Sequence, residues 1–305
     1  MRKFGKESAS PDEKGDKGRI KSGPGWLKNH WCLLSVCAVV AVAFLLRTVF
    51  VYGLSSGGGF ALSGGSGAQN HLHVVESILD GSFVLGSDAA VNYPIGGLNV
   101  VPPLMDFIAA GVAGILGMFG MSTTESASAA LAVLPPILGA LTCIPVYAIG
   151  KELFGDKRIG VVAALIFAFL SLPISSSVFS NGTEYALAAF LISCMSYFLI
   201  KTVRLMESGA PVKQVYLHSL VSGLYLGLIA WTWNGFGLMI LVVGVPLMLQ
   251  IGLDRINGKN FMTTLVGHSL TLILGVAVAA VYYIPAGLWD AVFSGPLLLA
   301  VLTVL

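Results

Sequence analysis

Long apolar runs alternate with short polar turns along most of the chain. Seven runs, at 31–52, 127–149, 158–174, 185–203, 215–232, 236–253 and 262–284, are long enough or nearly so to cross a hydrocarbon core, allowing for tilt. An eighth begins at 286 and continues to Leu305. Each must be a helix, because a sheet edge in lipid leaves backbone groups unpaired. The pattern predicts an all-α polytopic membrane protein, a helical bundle of about 7–8 spans.

The run at 103–118 is different. It is short, it is interrupted by Gly111, Gly114 and Gly117, and Asp106 lies near its start. If it crossed the membrane, the basic turn Lys151–Arg158 would fall outside the cell. Placed flat or re-entrant on the outer face, it lets every loop obey the positive-inside rule. Lys151, Lys157, Arg158, Lys201, Arg204, Lys213, Arg255 and Lys259 then share the cytosol with a disordered basic tail, 1–29. The first long loop, 53–126, lies outside. Arg47 is the exception, near the outer end of the first span, where it is expected to snorkel. That span is too long for a cleaved signal peptide and reads as a signal anchor, here in the cell membrane.

Composition narrows the class further. Of 305 residues, 56% are hydrophobic and 10% charged, against roughly 25% charged in a soluble domain. A water-soluble globule is excluded, and so is disorder beyond the tail. The net charge of +2 says little, and no nucleic-acid partner is expected; membrane lipid is. Cys32, Cys37, Cys143 and Cys194 lie in apolar stretches without metal-type spacing. The outer side collects Glu76, Asp80, Asp88, Asp106, Glu125, Glu184 and Asp290, a face that suits a divalent cation or a cationic partner.

The outer loop opens with Gly53–Gly67, where 11 of 15 residues are Gly or Ser. Such a segment is flexible, or lets a ligand approach the backbone closely. Residues 70–80 place Leu72, Val75, Ile78 and Leu79 on one helical face, which predicts a short helix on the membrane. His71 and His73 are two apart and fall on different faces, which argues against a zinc pair. Asn181–Gly182–Thr183 is a glycosylation sequon, too close to the membrane to be modified. Trp231, Trp233 and Trp289 read from composition as interfacial anchors.

Several short motifs stand in a fixed order. They are Gly65–Ser66–Gly67–Ala68–Gln69–Asn70–His71–Leu72–His73–Val74–Val75–Glu76, Asp88 through Tyr93–Pro94, Pro102–Pro103–Leu104–Met105–Asp106, Leu134–Pro135–Pro136, Glu152–Leu153–Phe154–Gly155 and Trp231–Thr232–Trp233–Asn234–Gly235. In that order they resemble the catalytic subunit family of oligosaccharyltransferases, nearest the archaeal type. The resemblance covers residues 31 to about 250. It implies a GT-C fold and transfer of an oligosaccharide from a lipid-linked (polyprenyl or dolichyl phosphate) donor to Asn of Asn-x-Ser/Thr in an acceptor polypeptide. It also implies Mn²⁺ or Mg²⁺ held by outer-loop carboxylates. Carried over by motif, Asp88 and Glu184 are the catalytic and metal-binding candidates, and His71, Trp233 and Asn234 the substrate-binding ones.

The chain departs from the family pattern at three places. Gly67 stands where the first-loop motif has its acid. In the second outer loop Ser176 replaces an arginine, and Thr183 or Gly182 replaces the first acid. The third acid, the W-W-D motif and the soluble outer domain would all lie beyond Leu305, so the chain reads as the transmembrane domain, 30–305, truncated before them. A second reading follows: a non-catalytic membrane module that binds polyprenyl-phosphate-linked glycan or scaffolds an active paralogue.

Overall fold

A computed structural model describes residues 25–55, 60–258 and 261–288. The first helix, α1 (Gly25–Ser55), starts within the segment expected as tail and overruns the predicted span at its far end. The rest of that tail, the Gly-rich stretch 56–59, and Trp289 and Asp290 lie outside the described residues.

Most of the eighth predicted span, 289–305, lies outside the described residues. The seven predicted spans between 31 and 284 are helical. They appear as α4 (Thr123–Leu141) with α5 (Cys143–Phe154), α6 (Lys157–Phe169), α8 (Tyr185–Glu207), α9 (Val212–Ala230), α10 (Phe236–Ile256) and α11 (Met262–Tyr283). A five-residue helix, α7 (Ser171–Ser175), follows α6. Among the described residues, five segments are long and apolar enough to cross a membrane: His30–Val49, Thr123–Phe154, Tyr185–Glu207, Phe236–Ile256 and Met262–Tyr283. The chain is an integral membrane protein of all-α architecture.

Small residues let the helices approach. Gly223 and Gly227 of α9 sit one turn apart against Thr271, Gly275 and Val278 of α11. A Cβ on Gly227 would meet that of Val278 at 2.3 Å, so the seam requires glycine, as close crossings in membranes commonly do. Thr271 Oγ1 ties the pair by donating to Ser219 O at 3.0 Å.

The bundle has two chemically distinct ends. At one, Gly155 takes a left-handed φ of 70° to end α5, and Asp156 caps α6 by accepting from Arg158 N at 2.8 Å. Lys201 pairs there with Glu152 at 2.8 Å. At the other end lie two helices of the 53–126 loop, α2 (Gly65–Leu79) and α3 (Leu104–Gly117). A two-residue hairpin links them, β1 (Ser87–Asp88) pairing antiparallel with β2 (Gly97–Leu98). The 14 residues of α3 span about 21 Å, short of a hydrocarbon core. Its face bearing Met105, Asp106, Ala109, Ala110 and Ala113 is buried.

Two expectations change here. The helix α2 begins at Gly65 rather than near 70. Just before it, a Cβ on Gly64 would lie 2.1 Å from Asn181 O, so the absence of a side chain there lets the 176–184 loop dock. Arg47 does not snorkel. It is fully buried, with Nε donating to Ser177 Oγ at 2.7 Å and Nη1 to Ala43 O at 2.9 Å. A long cation among helices finds oxygen acceptors nearer than the interface. Arg47 thereby brings a guanidinium to the loop at Ser177 from a different helix.

Candidate active site

The second outer loop, 176–184, is held on three sides. Phe179 N donates to Arg47 O at 2.9 Å, Ser180 N to Ala132 O at 3.0 Å, and Ser63 N to Ser180 O at 2.7 Å. The loop turns through Ser180 and Gly182, both with φ of 66°. Asn181 Oδ1 accepts from Thr183 N at 3.2 Å and also from the Thr183 hydroxyl. The sequon's amide is thus engaged inside its own turn. Glu184 follows as the first residue before α8, and its side chain makes no cap bond. It points instead to α2.

There it meets His71. The Nε2 atom of His71 is 3.0 Å from Glu184 Oε2, and Nδ1 is 2.6 Å from Asp106 Oδ1. His71 and Asp106 are each 1% exposed, Glu184 16%. Three segments far apart in sequence, α2, α3 and the second loop, are therefore joined through one imidazole. Below them lies the apolar core, including Val75, Met105, Leu131 and Leu187.

Burial alone would lower the His71 pKa, but the hydrogen bonds and charges of Asp106 and Glu184 outweigh it and carry it up to about 10. With no ion nearby the ring is an imidazolium at neutral pH. Burial pushes the Asp106 carboxyl up, against the pull of His71. Asp106 Oδ2 is buried without a hydrogen-bond partner, and so is Asn70 Nδ2 of the adjacent residue on α2.

Asp88, on β1, lies against another face of α2. Its carboxylate faces His73 Nε2 at 3.1 Å and accepts from Ala90 N at 2.8 Å. The different faces expected for His71 and His73 are found, and they carry Glu184 and Asp88 to different sides of the helix. Among the described residues, no three His, Cys, Asp or Glu side chains converge to hold one ion. What exists is a hydrogen-bonded pair of His71 and Glu184.

Trp233 and Asn234 occupy the turn between α9 and α10, Trp233 half-buried and Asn234 exposed. The turn abuts α3, whose Leu104 N donates to Trp231 O at 2.9 Å. The indole N–H of Trp231 donates to Val278 O at 2.8 Å and its ring packs on Tyr282.

The sequence places Asp106 in the outer acidic set and in the Pro102–Asp106 motif, without a site role. A signal was present. Asp106 shares its helical face with Ala109, Ala110 and Ala113 at spacings of three, four and seven, and a carboxylate on a buried face requires a partner.

Two solved structures and two curated relatives bear on this arrangement. The archaeal oligosaccharyltransferase AglB from Archaeoglobus fulgidus, in complex with an inhibitory peptide and a dolichol-phosphate, superposes with a TM-score of 0.74 at 18% identity, over 92% of this chain and 33% of that one. An oligosaccharyltransferase structure from the same organism, in complex with Zn and sulfate, gives 0.68 at 19%, over 88% and 35%. Likeness at these identities establishes the fold. The curated dolichyl-phosphooligosaccharide-protein glycotransferase 3 of A. fulgidus is 24% identical over 93% of this chain. Glycotransferase 1 of that organism is 28% identical over 53%. The chain spans about a third or less of the length of these relatives, 33% and 27% respectively. The family model described as oligosaccharyl transferase STT3, N-terminal, matches residues 79–300. With most of its length inside that match, the chain belongs to the STT3 oligosaccharyl transferase family.

Proposed function

We propose that the chain is the membrane part of an oligosaccharyltransferase that moves a lipid-linked oligosaccharide onto the Asn of Asn-x-Ser/Thr acceptors. The observation that carries the reading is the buried Asp106–His71–Glu184 cluster, which joins the two outer loops at the acidic end of a family-typical bundle. That end faces out of the cell and the basic end faces the cytosol, as the distribution of Lys and Arg requires. Similar solved oligosaccharyltransferases are in complex with a dolichol-phosphate or tethered with an acceptor peptide containing the NVT sequon, in keeping with the two substrates proposed.

An amide nitrogen is a poor nucleophile, so the reaction depends on stabilising the departing phosphate and on orienting the amide. A divalent cation supplies the first by neutralising phosphate charge. Glu184 is the carboxylate placed to face it, fixed by His71 and by the docked second loop. Asp88, turned to His73, orients the hairpin that carries Tyr93 and Pro94. Trp233 and Asn234, beside α3, line the approach of substrate.

Purified full-length protein in nanodiscs, given a lipid-linked oligosaccharide, a fluorescent Asn-x-Thr peptide and Mn²⁺, should yield a glycopeptide detectable by mass shift. EDTA and Glu184→Gln should each abolish the product. Absence of product from the unaltered protein refutes the catalytic reading. Gly67, lacking the first-loop acid, favours a second one: retention of a polyprenyl phosphate without transfer would support the binding-module role.

A further inference from the structure

At the basic end of the bundle, a cavity of about 400 Å³ opens between the ends of α8 and α10 and the starts of α9 and α11. That end carries Lys201, Arg204, Lys213 and Arg255. The charged side chains that line the cavity are nevertheless both acidic, Asp254 and Glu207.

Two pairs at a spacing of four build the polar wall. On α10, Gln250 Nε2 donates to Asp254 Oδ1 at 3.1 Å. On α11, His268 Nδ1 donates to Thr264 O at 3.0 Å, and the Thr264 hydroxyl crosses to Asp254 Oδ2 at 3.2 Å. Asp254 is 6% exposed and His268 2%. Neutral donors thus hold both oxygens of Asp254, and among the described residues no Lys, Arg or His pairs with it. A buried carboxylate without a counter-cation is costly. His268 is the second, independent sign. A carbonyl can only accept, so Nδ1 carries the ring hydrogen, and the neutral ring presents a lone pair at Nε2. Among the described residues Nε2 has no hydrogen-bond partner, and the ring lines the cavity.

We propose that this cavity binds a short aliphatic diamine, with one ammonium on Asp254 and His268 Nε2 at the floor and the other on Glu207 at the rim. Only the sidedness of the proposed function is used, and it makes the ligand a cytosolic one. An ammonium donates three N–H bonds and accepts none. The wall matches it with acceptors: a carboxylate, an imidazole nitrogen, and the carbonyl oxygen of the Gln250 amide, whose N–H already goes to Asp254. Val203 and Glu207, four apart on α8, share a face. With Met206 and Val215 they make an apolar wall that suits methylenes and leads to the exposed Glu207 carboxylate. The volume falls within the range of small-molecule sites, roughly 300–1,000 Å³. A bare metal ion does not fit, because among the described residues no three ligating side chains converge. An aminophospholipid headgroup does not match either. Its phosphate would meet Glu207, and no Lys or Arg lines the cavity to receive it.

The test is calorimetric titration of 1,4-diaminobutane into full-length protein in phosphatidylcholine nanodiscs, whose neutral lipid does not attract amines. Saturable binding is expected, tighter than that of 1-aminobutane, which reaches one carboxylate only. Asp254→Asn should weaken both amines about 10- to 100-fold, the equivalent of one charged hydrogen bond. Glu207→Gln alters an exposed side chain; it should bring the diamine down to the affinity of 1-aminobutane and leave 1-aminobutane unchanged. Asp80→Asn, in the 53–126 loop, should change neither. Discs containing phosphatidylethanolamine should give the same diamine affinity. Absence of diamine binding, equal binding of the two amines, or diamine binding that survives Asp254→Asn or Glu207→Gln overturns the assignment. So does loss of binding in Asp80→Asn, and competition by phosphatidylethanolamine gives the cavity to a lipid instead. If Asp254→Asn does not fold, the amine comparison and Glu207→Gln still decide. The transfer assay is independent of every one of these outcomes, so either reading can fail without the other.

Discussion

On one face of α2, His71 lies between Asp106 and Glu184 at 2.6 and 3.0 Å; on another, His73 meets Asp88 at 3.1 Å. The pair chemistry and the lengths are nearly the same. The surroundings are not: His71 is 1% exposed and His73 44%. Water screens the second pair and competes for both partners, so exposed pairs contribute about 0–1 kcal/mol. The first is shut away from water, where each polar atom depends on its neighbours and removal of one partner costs about 3–5 kcal/mol. Burial, more than the identity of the paired groups, decides which histidine the fold depends on.

The largest effect should therefore come from Asp106→Ala, which leaves His71 with one carboxylate and no route to solvent. A loss of about 3–5 kcal/mol should appear as a clearly lower midpoint of thermal unfolding in detergent. Pairing it with His71→Leu should recover part of the loss, because an apolar replacement of the whole pair avoids the unmatched charge. If the double variant is no better than the single one, the cluster is not a coupled unit. Glu184→Gln is milder. It keeps an acceptor for His71, is partly open to solvent, and removes one charged hydrogen bond, which is worth about 1.5–3 kcal/mol.

The same contrast marks what can be read from the sequence. The helices follow from apolar runs, and the segregation of Lys and Arg to one end follows from a charge rule; both depend on near-neighbour pattern. The amphipathic stretch of α2 was readable too, through Leu72, Val75, Ile78 and Leu79. The pattern omitted the other buried strip, Ala68, His71 and Val74, because a histidine counts as polar until its partners are known. Those partners lie 35 and 113 residues away. No local period encodes such distances, and the family motif supplied His71 and Glu184 without stating that they touch. Arg47 failed for the same reason. A cation near a helix end suggests snorkelling until Ser177, 130 residues on, supplies an oxygen.

Titration should separate the two faces next, in metal-free protein. The His71 pKa is carried from 6.5 up to about 10 by its two carboxylates, against burial. A group whose folded pKa lies above its unfolded value stabilises the fold when both states are protonated-competent at low pH. The contribution is complete below about 6.5 and fades as pH rises through about 10. The unfolding midpoint under EDTA should fall across that interval, and His71→Gln should flatten the fall. An unchanged slope in the variant would mean that another group titrates there.

The smallest effect belongs to the open pair. His73→Gln and Asp88→Asn should each shift stability by less than about 1 kcal/mol, and the double variant should equal the sum of the two within measurement error. Asp88 also accepts from Ala90 N, a bond that Asn can keep through its carbonyl oxygen, so even this substitution leaves the turn intact. A thermal midpoint as strongly displaced as that of Asp106→Ala would show that the hairpin at 88–98 is held by His73 and not by its own backbone pairing, Ser87 with Leu98 and Asp88 with Gly97. The expected near-neutrality would leave His71 as the histidine through which α2 is fastened to the rest of the site.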